Sequence, residues 1–234
     1  MIKATDYPDY FAYDLMDAHT GKVYSWVQQK KPIYRLFDKL EYMDRFYQDG
    51  ELRISCIESF RSYPDEIRGD RYEGQGSAYI NHENKDISLI IFDYAINGYI
   101  LSTTDTINDK VIKAFNATCA IKIYNSAYFG LEIAKELQAV QQGIEGDCNY
   151  VDDKTIELDF SVQQDLINKS GFANDLAFQI EMQRKVSTKA LFLKHKKYNY
   201  QKEYRLIWFS ENRVLTPVVV KIPQARLVCE PIIF

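Results

Sequence analysis

Hydrophobic and polar positions alternate over short stretches along most of the chain, and a helical period replaces the alternation in only a few places. Residues 33–37 (IYRLF) and 51–55 (ELRIS, with Leu52 and Ile54 on one face) read as strands. Between them Leu40, Met43, Phe46 and Tyr47 recur at helical spacing, and Gly50 stands where a left-handed cap would end a helix over about 38–49. Strands are predicted at about 77–82 and 87–93, and the Asn97-Gly98 turn predicts a hairpin joining 89–94 to 99–103. Thr106 reads as the cap of a helix to about Phe115, and 117–124 as a strand. Ser126 then opens an amphipathic helix to about Gln142, stopped by Gly143. Strands near 146–151 and 155–160, one or two helices within 161–186, and strands at 216–222 and 226–233 complete the pattern. Strands outnumber helices and often follow one another directly. That predicts one α+β domain with mixed or largely antiparallel sheets and flanking helices, and it argues against a doubly wound parallel sheet.

Length and composition refine this picture. The 234 residues suffice for one sizeable core, and 46% hydrophobic with 26% charged residues is the balance of an ordinary soluble globular protein. A net charge of −4 removes any whole-body positive field for nucleic acid, though a local basic patch stays open. The 18 Tyr suit half-buried surfaces, base stacking or a partner interface. Cys56, Cys119, Cys148 and Cys229 form no C-x-x-C pair and read as buried thiols of a reducing compartment, so a cytoplasmic protein is expected. His19, His82 and His195 lack metal-ligand spacing, and no metal is expected. Neither a signal peptide nor a membrane span is expected from the polar N-terminus and the short apolar runs. Glycine-rich phosphate loops and a G-x-S-x-G elbow are missing from the sequence, which leaves Rossmann, P-loop and serine-hydrolase chemistry without support.

Residues 1–31, acidic at first and Tyr-rich, read as an N-terminal extension that packs on the domain or meets a partner, and 32–234 as the domain itself. The charged segment 60–74, with Arg61, Arg68, Asp70 and Glu73, is long for a connection in a compact domain. It reads as a solvated, self-neutralising loop or as a functional one.

The candidate chemistry centres on 198–208 (YNYQKEYRLIW), a polar approach that turns into a β-branched and aromatic strand. Gln201 and Glu203, two apart, are expected to project to the same side. Two other short elements join them in chain order: Tyr34-Arg35 on the 33–37 strand, and Ser102-Thr103-Thr104 at a strand end. Taken singly, each has a plain structural alternative. Glu203 can pair with Arg205 or Lys202, and Arg35 with Asp38 or Glu51. The run Lys194-His195-Lys196-Lys197 is the most basic in the chain, either solvated or able to draw a phosphate-bearing acceptor.

The order Arg35, then Ser102-Thr103-Thr104, then Gln201-x-Glu203 resembles the R, S-T-S, [QE]-x-E signature of mono-ADP-ribosyltransferases. The third position of the middle motif departs from it, being Thr104, and about a hundred residues separate that motif from Glu203, which calls for an insertion at about 117–186. Stretches 33–80 and 191–208 are also similar to the DUF2971 family of uncharacterised bacterial and phage proteins. The resemblance implies an ADP-ribosyltransferase-like fold with NAD as substrate. Glu203 would stabilise the oxocarbenium-like transition state, Gln201 orient the acceptor, and Ser102 support Glu203. Tyr34, Arg35, Arg61, Arg68, Thr103 and Tyr200 would contact NAD, with the 60–74 loop folded over it. The acceptor would be a macromolecule, RNA or DNA somewhat before protein, and a toxin or phage-defence role with an antitoxin or inhibitor partner would follow by resemblance. Two alternatives stay open: an NAD glycohydrolase, in which water replaces the acceptor, and a non-enzymatic partner-binding module.

Overall fold

The computed structural model describes residues 2–3, 13–16, 23–26, 31–64, 69–81, 87–93, 97–137, 139–157 and 190–234. The first half of the chain gives β1 (Ile2–Lys3), β2 (Tyr13–Met16), β3 (Val23–Trp26), β4 (Ile33–Phe37), α1 (Leu40–Asp49), β5 (Glu51–Cys56), α2 (Ile57–Arg61), β6 (Gln75–Asn81), β7 (Ile87–Asp93) and β8 (Gly98–Thr104). Then follow α3 (Asp109–Phe115), β9 (Cys119–Ile123), α4 (Ser126–Glu136), β10 (Val140–Asp147), β11 (Asn149–Val151) and β12 (Thr155–Glu157). The last elements are β13 (Leu193–His195), β14 (Glu203–Ser210), β15 (Val218–Lys221) and β16 (Cys229–Ile233). Short 3-10 turns at Lys196–Gln201 and Pro223–Val228 lead into β14 and β16.

The main sheet has the order β10-β14-β8-β4-β9-β16, with β5 and β15 branching from β8, and all of its pairings are antiparallel. A smaller sheet, β1-β12-β6-β7, mixes parallel and antiparallel pairs. The chain is thus a single α+β domain with a mostly antiparallel sheet and a few helices.

Alternation along β14 divides its side chains between two faces. Tyr204, Leu206 and Trp208 enter the larger core, where α1 and α4 contribute Met43, Phe46 and Phe129. Ile207 joins a smaller core with Ile57, Ile100, Leu191 and Phe192, and Glu203 and Arg205 share its face. The large core holds the buried Trp208, whose indole N–H donates to the Gly130 carbonyl on α4 at 3.1 Å. Gly50 ends α1 with φ of 76°, and an added Cβ would lie 2.5 Å from the backbone nitrogen of Pro223, so both conformation and space demand glycine there.

Several expectations are corrected. The helix begun at Ser126 stops at Glu136, not near Gln142, and Gly143 lies inside β10. Pairing of Ile144 with Ile207 and of Val140 with Ser210 buries this segment as a strand, a tertiary gain that outweighs its local helical pattern. Asn97-Gly98 does not turn a hairpin: β7 pairs with β6 in the smaller sheet, while β8 pairs with β14, β4 and β5. Gly98 is instead a packing glycine, since an added Cβ would meet Ile57 Cδ1 at 2.7 Å. The cap of α3 is Asn108, whose Oδ1 accepts from the Val111 N–H at 3.0 Å, not Thr106. The helices expected within 161–186, Arg68 and most of the 1–31 segment lie outside the described residues. No helix among the described residues is long and apolar enough to cross a membrane.

The larger core also contains an acid. Glu145 on β10 is 1% exposed, and its carboxyl meets Ser126 Oγ and the Tyr204 hydroxyl without closing a hydrogen bond of normal geometry. Burial pushes this carboxyl up to about 7 from an ordinary 4.5, against a smaller downward pull from the two hydroxyls. The folded state therefore keeps a proton that the unfolded chain releases, so stability falls as pH rises from about 4.5 to about 7 and stays reduced above. Glu145→Gln is expected to match wild type in urea unfolding near pH 4. By pH 8 it should be more stable, by on the order of 3 kcal/mol. A difference that does not change with pH would contradict this assignment.

Candidate functional site

The site begins where the main sheet forks. β8 pairs with β5 at Ile100–Ser55 and Tyr99–Cys56, and with β4 only at Thr104–Tyr34. Leu101, Ser102 and Thr103 therefore face a gap between β4 and β5. Arg35 fills part of it. Its register places it on the face of Ile33 and Phe37, yet its guanidinium reaches across, and Nη1 donates to the Ser102 carbonyl at 2.9 Å. A strand carbonyl without a ladder partner is thereby satisfied by a charged side chain.

On the β8–β14 side, Ser102 stands directly opposite Arg205, and Ser102 Oγ donates to Glu203 Oε1 at 2.7 Å. Arg205 Nε donates to the same oxygen at 2.7 Å. Lys194, from β13, donates to Glu203 Oε2 and also to Gln201 Oε1, the latter at 2.6 Å. Arg205 then grips Glu73 with both terminal nitrogens, at 2.6 and 3.0 Å. The result is a neutral network of two acids and two bases, each less than a tenth exposed.

Its electrostatics follow from burial against pairing. Burial alone would raise the Glu203 carboxyl, but Arg205 and Lys194 outweigh it and hold the group well below the usual carboxylate range. Burial likewise works against the Arg205 charge, and the neighbouring acids keep it fully protonated. Asp70 is also held low, its burial outweighed by Lys154, which lies 2.7 Å away. Cys148, buried behind Glu203, is pushed up by burial, the opposite of what a thiolate nucleophile needs.

The network forms one wall of a cleft of about 580 Å³, a size that suits a small-molecule ligand. Of the residues singled out from the sequence, Tyr34, Arg35, Ser102, Thr103, Gln201 and Glu203 all line this cleft. Tyr200 and Arg61 are not among its lining residues. The Tyr200 ring carries Lys110 Nζ 4.7 Å from its centroid, and Arg61 Nε donates at 2.8 Å to the backbone carbonyl of Glu73. Arg61 thus steadies the residue that holds Arg205. Thr103 turns its hydroxyl to the Tyr204 carbonyl at 2.8 Å, a strand-to-strand brace.

Gln201 and Glu203 meet by a route other than strand alternation. Gln201 ends the 3-10 turn, Lys202 adopts a left-handed φ of 44°, and Glu203 opens β14. Thr104 Oγ1 donates to the Gln201 carbonyl at 2.7 Å and fixes this corner. Lys194 donates only, so its contact with Gln201 Oε1 also decides which way the amide points.

No protein-family model matches the chain, and no curated protein and no solved structure matches it.

Sequence reasoning missed Lys194, Glu73 and Tyr150 as members of the site. Lys194 was hidden in a basic run that reads as solvated. Only it turns inward, while His195, Lys196 and Lys197 are exposed. Glu73 sat in a loop whose charges read as self-neutralising, yet it is 2% exposed. Tyr150 accepts the Glu203 N–H on its hydroxyl at 2.7 Å, and no local pattern announces that.

Proposed function

We propose that the cleft binds NAD and that the protein transfers ADP-ribose from it to a macromolecular acceptor, releasing nicotinamide. The observation that carries this reading is the Ser102 Oγ to Glu203 Oε1 hydrogen bond, in the wall of a cleft that also takes in Arg35 and Gln201. The three motifs are far apart in sequence, and their meeting in one cleft is what the resemblance requires.

The chemistry suits the groups. The bond from ribose C1 to the nicotinamide nitrogen breaks with its electron pair leaving on nicotinamide, and positive charge develops on the ribose. A fixed, charged carboxylate stabilises that charge. Glu203 is fixed by three donors, and a carboxylate has about four acceptor sites, so one site remains for a ribose hydroxyl. The acceptor then forms its bond to C1 and gives up a proton. Gln201, held through its oxygen by Lys194 and with its amide nitrogen donating to the Tyr200 hydroxyl at 3.4 Å, stands beside Glu203 where it would position that acceptor. The exposed Lys196, Lys197 and Lys202 beside it favour a nucleic acid over a protein.

Labelled NAD incubated with RNA, DNA and lysate protein tests this. Label should move to a macromolecule with matching nicotinamide release. Release that needs no acceptor would favour the glycohydrolase, and no release under any condition would contradict both enzymatic readings.

One observation favours a second reading. Glu203 already faces two cations in a closed, buried, neutral network, as a purely structural carboxylate would. A partner-binding module follows from that view, and it requires Glu203→Gln to leave function untouched in the folded protein.

A further inference from the structure

Another part of the cleft lining comes from β5. Its alternation is strict: Leu52, Ile54 and Cys56 are buried, while Glu51 and Ser55 are partly exposed and Arg53 is exposed on the cleft side. The charges around the cleft decide what this wall can hold. Every lining carboxylate already has a partner. Asp70 has Lys154, Glu73 has Arg205, Glu203 has Arg205 and Lys194, Glu51 has Lys221 at 3.7 Å, and Asp38 is engaged as well. The other lining cations are engaged, wholly or in part. Lys194 and Arg205 sit in the network, Arg35 gives one guanidinium nitrogen to the Ser102 carbonyl, and Arg45 pairs with Glu41 at 3.8 Å. Arg53 is the exception among the described residues, with neither a hydrogen bond nor an ion pair. The Ser55 hydroxyl, on the same side of the strand two residues away, has no described partner either. A planar guanidinium fork beside a hydroxyl, in a cleft whose acids are all neutralised, suits a phosphate or diphosphate.

We infer that Arg53, with Ser55, forms a phosphate-binding wall of this cleft, the subsite for the diphosphate of the ligand. The inference rests on the NAD reading for the ligand's name but not for its chemistry, since the unpaired cation selects a phosphorylated ligand whatever its other end. It also replaces an expectation. Arg61, a sequence candidate for phosphate contact, is committed to Glu73 and Glu58.

The test is isothermal titration of wild type, Arg53→Gln and, as an exposed control away from the cleft, Arg213→Gln. Three probes are used: NAD, inorganic pyrophosphate, and nicotinamide riboside, which has no diphosphate. Arg53→Gln should weaken NAD and pyrophosphate about tenfold or more and leave nicotinamide riboside unchanged, with Arg213→Gln behaving as wild type. Unchanged NAD and pyrophosphate affinity in Arg53→Gln overturns the inference while leaving the NAD reading standing. Wild type that binds pyrophosphate but not NAD, with loss in Arg53→Gln, keeps the phosphate wall and removes the NAD reading. Wild type that binds neither overturns the inference.

Discussion

Glu203→Gln is expected to lower ADP-ribose transfer by about two to three orders of magnitude, while NAD still binds. Gln keeps the size of the side chain and an oxygen for Ser102, so the cleft retains its shape. What disappears is the negative charge opposite the developing cation, an interaction much stronger in the transition state than with bound NAD. The loss should therefore fall on kcat with little change in KM. The substitution also leaves Lys194 without its ion-pair partner and Arg205 with Glu73 alone, so the rate is to be measured at a temperature where a thermal melt shows the variant folded. Unchanged turnover in folded Glu203→Gln would remove the glutamate from the chemistry and leave the structural network as its role.

The second large effect is on stability. Arg205 is 2% exposed and neutralises both Glu203 and Glu73. Arg205→Met fills much of the same volume but takes from Glu73 its ion-pair partner and leaves Glu203 with Lys194 alone. A loss of about 3–5 kcal/mol is expected, the range for breaking a buried pair from one side. The loss should depend on pH with a defined sign. In wild type the Glu203 carboxyl is held low, so its contribution is fully present above the ordinary 4.5 and fades as pH falls toward its folded value. In the variant Glu203 has only Lys194 to set against its burial, so its carboxyl rises from that low value and the gap to wild type should narrow as pH falls from 7 to 4. Urea unfolding at pH 4 and pH 7 checks both statements. Adding Glu73→Gln should recover part of the loss, and simple additivity of the two changes would show that the residues do not act as a pair.

Local physics made part of this molecule legible in its sequence. The β4–α1–β5 run could be read because its periods change sharply and Gly50 marks the cap. The meeting of Arg35, Ser102 and Glu203 could be anticipated from motif order. Long-range pairing could not. The pattern after Ser126 looks helical through Gln142 until β14 is placed beside it, and Asn97-Gly98 looks like a turn until Ile57 is packed on Gly98. The partners of Arg205 span 132 residues of chain to Glu73, a separation at which composition gives no signal. Arg53 shows both sides of this limit. Alternation in ELRIS already turned it away from Leu52 and Ile54, but only the fork at β8 reveals that the outward face is the wall of a cleft.

The central claim is that this cleft takes NAD against Arg35 and the Glu203 network. Its most direct test is isothermal titration of the purified protein with NAD, run beside Arg35→Ala. The account predicts saturable binding by wild type with one site per chain, and binding weakened about tenfold or more in Arg35→Ala. No binding by folded wild type at millimolar NAD would contradict it.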